Sequence, residues 1–95
     1  MGVILRIYPV FSYLFSKSER NHIIDIAMLG IKEYAHEHDG DIEKTAESLA
    51  WSFVQQHTVQ LDTSKRIKEA KLSKMRGKQL IGEMKEIFIK EYQAV

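Results

Sequence analysis

From Ile23 onward the apolar positions fall at helical spacing. Ile23, Ile24, Ala27, Met28, Ile31, Tyr34 and Ala35 draw one stripe along a helix. The polar stretch SKSER precedes it, and Ser18 is the expected N-cap. Its hydroxyl can accept an unpaired backbone N–H, and Glu19 suits the positive end of the helix. Gly30 interrupts the stripe at a cost of about 1 kcal/mol relative to alanine. A glycine there points to close packing by a neighbouring helix. A second stripe, Ile42, Ala46, Leu49, Ala50, Phe53 and Val54, runs to about His57. The two helices, around 19–38 and 42–57, are expected to pack as a hairpin.

The flanking segments are less regular. Val3, Leu5 and Ile7 alternate as in a strand, whereas Ile4, Ile7, Tyr8 and Phe11 recur as in a helix. Pro9 suits the first turn of a helix, so a helix running to about Ser16 is expected. After TVQLDTS a long C-terminal helix begins, capped by Asp62, Thr63 or Ser64, and it has two unlike halves. Leu80, Ile81, Met84, Ile87, Phe88 and Tyr92 form one apolar arc. In residues 65–78, Ile67, Ala70, Leu72 and Met75 point in scattered directions, and Gly77 weakens the junction. The expectation is an all-α fold, a small bundle of three to four helices in a single domain. Its core is expected to be Ile23, Ala27, Met28, Ile31, Leu49, Phe53, Ile81, Met84 and Phe88.

Residues 65–78 hold Lys65, Arg66, Lys68, Lys71, Lys74, Arg76 and Lys78 against one acid, Glu69. That is a net +6, which leaves −5 for the rest of a chain whose total is +1. A segment that is basic all round cannot bury a clean face, so this one is expected to protrude from the core or to order on binding. It has three readings. It can contact nucleic-acid phosphates, with affinity falling steeply with salt. It can dock on an acidic protein surface, its own or a partner's, with Glu33, Glu37, Asp39, Asp41, Glu43 and Glu47 as the acids at hand. Or it is a solvated helix, although such helices tend to mix signs for i,i+4 pairing. No aromatic residue interleaves the run, which argues against stacking on single strands.

The stretch HEHDGD, residues 36–41, carries metal-ligand residue types. Its histidines are at i,i+2, on different sides of a helix, and neither an HExxH pattern nor a calcium-loop pattern is present. A helix–helix connection accounts for every residue instead. The histidines lie at a helix C-terminus, Gly40 takes a positive φ, and Asp41 caps the next helix with Glu43 complementing its dipole. No metal site and no cofactor are expected. No pair of carboxylates lies in an apolar setting, no nucleophile turn is present, and RGKQ lacks the upstream glycine of a phosphate loop. An enzyme is therefore not expected.

Gly40, Asp41, Ile42, Lys44, Ala46 and Leu49 resemble the first part of a helix-turn-helix of the factor-for-inversion type. The resemblance implies DNA binding through a following basic recognition helix. It covers about ten positions and then ends. The chain continues AWSFVQQHTVQL, without the glycine-bearing turn and the Ser-Arg of that family. Ubiquitin-associated three-helix domains open a helix in a similar way. Neither family is assigned.

With no cysteine, disulfides and thiolate chemistry are excluded, and a cytoplasmic protein is expected. The run VILRIYPVFSYLF is shorter than the ~20 apolar residues that span a bilayer, and it lacks the flanks of a signal peptide. Tyr8, Phe11, Tyr13 and Phe15 are expected in the core rather than at a membrane surface. The first functional expectation is a non-enzymatic interaction module that binds a protein through helix surfaces and the basic segment. Trp51, at the edge of its apolar face, is expected to pack at that boundary, with a partner anchor as the sharper reading. The alternative is a nucleic-acid-binding protein using the basic segment. A homodimer is a further candidate, from the apolar surplus and from the small residues Ser73, Gly77 and Gly82, which equally fit a kink or a helix break.

Overall fold

The structure, a computed structural model, describes residues 8–55, 63–69 and 74–94, with their side chains except at 63, 64 and 74–76. All regular structure among these residues is helical. Helix α1 is Pro9–Leu14 and α2 is Lys17–Tyr34, extended by a single 3-10 turn, Ala35–His38. Then follow α3, Ile42–Gln55, α4, Thr63–Glu69, and α5, Lys74–Gln93. The chain is a small all-α bundle.

The local starts and stops follow side-chain chemistry. Ser16, not Ser18, caps α2. Its Oγ accepts from the Glu19 N–H at 3.2 Å, and the Glu19 carboxylate accepts from the Ser16 N–H at 2.9 Å. This reciprocal pair needs an acid three residues after the cap, and Ser16 has one at Glu19 where Ser18 has only Asn21. The 3-10 turn ends on Asp39 at φ 55° and Gly40 at φ 77°. Asp41 Oδ1 then accepts from the Lys44 N–H at 3.2 Å and opens α3. HEHDGD is thus a helix–helix connection, with glycine at one of its two left-handed positions.

Helix α5 is the centre of the bundle and packs on α3, α2 and α1. Its Leu80, Ile81, Met84, Ile87 and Phe88 meet Ile23, Ala27 and Ile31 of α2, Ala46, Ala50, Phe53 and Val54 of α3, and Val10 and Phe11 of α1. Phe15, just past α1, is also fully buried. Burying these side chains is the main stabilising term of the fold, at about 1.5–3 kcal/mol for each large one before entropy is subtracted. Two residues expected in the core, Met28 and Leu49, are only half-buried. Both lie at the margin of their stripes, where the helix face turns to solvent. Gly30 does allow a close approach, since a Cβ there would stand 2.8 Å from Leu49 Cδ2. By contrast, Gly77 and Gly82 have open space at that position, so no described helix packs tightly against them.

A six-residue helix cannot hold itself together in water. Helix α1 is held at both ends by side chains from elsewhere. Tyr8, at its N-cap, supplies no side-chain acceptor. Instead Glu83 of α5, itself buried, accepts from the Phe11 N–H at 2.9 Å and the Val10 N–H at 3.4 Å. At the other end Arg20 Nη1 donates to the Phe15 carbonyl at 2.6 Å and the Ser12 carbonyl at 3.4 Å. Arg66 Nη1 donates to the Leu14 carbonyl at 3.2 Å. An anion at the N-terminus and cations at the C-terminus match the helix dipole. Of the aromatic run, Phe11 and Phe15 are buried with their rings 5.5 Å apart, Tyr8 is half-buried and Tyr13 is exposed.

Candidate interaction surfaces

The basic segment does not act as one unit. Arg66 faces inward from α4 and grips Glu19 of α2 with two parallel bonds, Nη1–Oε1 at 2.8 Å and Nη2–Oε2 at 2.6 Å. Its guanidinium carbon also lies 5.5 Å from the centre of the Phe15 ring. Next to it, Ile67 packs against the core. Arg66 is therefore engaged by the protein's own groups, although partly exposed. The acid it meets is Glu19, outside the 33–47 cluster. Lys65 is exposed and lies 3.8 Å from Glu69, one turn on. Lys68 and Lys78 are exposed. Lys71 lies outside the described residues, as do the side chains of Lys74 and Arg76.

The Arg66–Glu19 contact sets a pH dependence. The hydrogen bonds from Arg66, then that from the Ser16 N–H, lower the Glu19 carboxyl from its ordinary value of 4.5 to about 2. A carboxyl lowered by folding stabilises the fold above its unfolded value and loses that contribution as pH falls through the folded one. Stability from this contact is thus complete above pH 4.5 and declines toward pH 2. Both side chains are partly exposed, so solvent screening limits the contribution to about 1 kcal/mol. Urea unfolding of Arg66→Met should show that loss above pH 4.5, with little difference from the native chain near pH 2. A loss that is the same at both pH values would assign the effect to packing alone.

A second surface lies between α2 and α3. It is a groove of about 510 Å³, within the range of small-ligand and peptide sites. Along α2 its wall runs Ile26, Leu29, Gly30, Glu33, Tyr34, Glu37 and His38, which is one helical stripe continued through the 3-10 turn. Along α3 it runs Thr45, Ser48, Leu49, Ser52 and Phe53. One end of the α2 wall is apolar and the other is acidic. Leu29 is 66% exposed and Tyr34 43%. Trp51, also 43% exposed, stands on α3 outside this lining. The groove is not legible in the sequence, because Leu29 lies off the main apolar stripe of α2 and reads as an isolated surface leucine.

Among the described residues no three His, Asp or Glu side chains gather to hold a metal ion. His22 and His36 are exposed, and His38 is half-buried at the end of the groove. No described helix is long and apolar enough to cross a membrane. No family model, curated protein or solved structure matches this chain.

Proposed function

We propose that this chain is a non-enzymatic interaction module that binds another protein through the outer surfaces of its helices. The observation that carries this reading is on α2 and α3. Their inner faces fill the core, and yet Leu29 is left largely open to solvent and Tyr34 and Trp51 are exposed over nearly half their surface. Exposed apolar side chains of this size, grouped on one helical hairpin, favour a partner. The exposed Lys65 and Lys68 on α4 and Lys78 on α5 would add charged contacts of their own, outside the groove lining, to an acidic part of the same partner. The protein would act in the cytoplasm.

A photo-crosslinking residue placed at 29, 34 or 51 tests the reading in cells. An adduct of one defined mass, formed at one or more of these positions and not at the exposed His22, is expected. An adduct at twice the chain mass would identify the partner as a second copy. No adduct at any of the three would overturn the proposal. The nucleic-acid alternative has the exposed Lys65, Lys68 and Lys78 in its favour and loses Arg66 to Glu19. Micromolar binding to a random duplex that falls steeply with salt would put it first.

A further inference from the structure

We propose that the groove between α2 and α3 is the docking site for a cationic amphipathic helix of a partner protein, an inference that rests on the interaction-module reading. The shape comes first. The groove is walled by two packed helices, and its α2 wall extends from Ile26 to His38. That length accommodates roughly three turns of a partner helix. Leu29 and Tyr34 on the wall, with the half-buried Leu49 in the α3 lining, offer the apolar contacts that a helix seated in a groove requires.

Charge selects the occupant. Glu33 and Glu37 line the groove one turn apart, both are exposed, and no lysine or arginine joins them in the lining. Among the described residues neither makes an ion pair. Their position is locally unfavourable. They are like charges four residues apart, Glu33 in the last turn of α2 and Glu37 in the 3-10 turn that extends it, where the helix dipole favours cations. Lysine or arginine from a partner would relieve both penalties. A helix with apolar residues toward Leu29 and basic residues one to two turns further along fits this gradient.

The test uses the full chain and a fluorescein-labelled helical peptide with leucine on one face and lysine on the other. A counterpart with glutamate in place of lysine is the control. Fluorescence anisotropy at ~0.15 M salt screens attraction beyond about 8 Å. The Leu/Lys peptide should bind in the micromolar range and its Leu/Glu counterpart should not. The double variant E33K/E37K should weaken binding about tenfold or more, because two attractions become repulsions. D25K/E91K makes the same change in net charge at exposed sites outside the groove and should bind like the native chain. Thermal unfolding of E33K/E37K should be no less stable than native, since the substitutions remove unfavourable local charges.

Equal weakening by both double variants, or no binding to the native chain, would overturn the proposal. So would a native dimer that E33K/E37K dissociates without any peptide binding, because a second copy would then fill the groove. Crosslinks at 51 with no peptide bound at the groove would overturn this inference and leave the interaction-module reading standing.

Discussion

Phe88→Ala is expected to produce the largest loss of stability of any single substitution considered, about 3–5 kcal/mol. Phe88 is completely buried on α5. Its ring meets Phe53 of α3 edge-on, with centroids 5.8 Å apart and planes at 60°. The α3–α5 pairing is the most extensive in the bundle, and this aromatic contact lies within it. Truncation to alanine removes the transfer term of a whole ring. It leaves a cavity that close-packed neighbours fill only in part. A chain of this size is stable by roughly 5–14 kcal/mol, so a large share of the total goes with one side chain. Phe88→Leu keeps most of the volume and should cost well under half as much. The check is urea unfolding followed by far-UV circular dichroism, with the slope unchanged and the midpoint shifted. A loss below about 1 kcal/mol would mean that α3 and α5 do not form the central pairing.

Glu83→Ala should come second, at about 2–4 kcal/mol. The Glu83 carboxylate is buried and accepts three bonds, from the Val10 and Phe11 N–H groups and from Gln79 Nε2 at 2.9 Å. Alanine leaves two backbone donors of α1 without an acceptor, at roughly 1–3 kcal/mol for each one that water cannot reach. It also removes the negative charge from the positive end of α1. Glu83→Gln retains one acceptor oxygen and turns the other into an NH2 that faces a donor. It should recover about half of the loss. The effect should be local as well as global. Amide exchange in α1 should accelerate far more than exchange in α3, because α1 depends on this cap and α3 does not. Unchanged exchange at Val10 and Phe11 in the alanine variant would show that the cap is dispensable.

The Glu83 cap had a trace in the sequence. Position 83 lies three residues after Leu80 and four before Ile87, so an acid falls inside the apolar arc of α5. Such a residue must find a donor within the core. Which donor it finds is not legible, since Val10 and Phe11 are 73 and 72 positions away. Arg66 is the converse case. In the sequence it is one of seven like residues, and nothing local separates it from Lys65 or Lys68. Only the packing of α4 beside the α1–α2 corner brings it to Glu19 and Phe15.

The sequence by itself determined the all-α class, the α2–α3 hairpin, the Asp41 cap and most of the buried faces. These are local properties. Helical period, a positive φ at Gly40 and a side-chain oxygen next to free N–H groups act within four or five residues of one another. The tertiary structure alone decided which charges are spent inside the molecule and which remain available. It placed Glu83 and Arg66 on α1 and Glu19, and left Leu29, Glu33 and Glu37 open along one groove. Coulombic and hydrogen-bonding contacts act over a few ångströms, whereas their partners here lie 47 to 73 residues apart in the chain. Only the packed bundle brings those distances together.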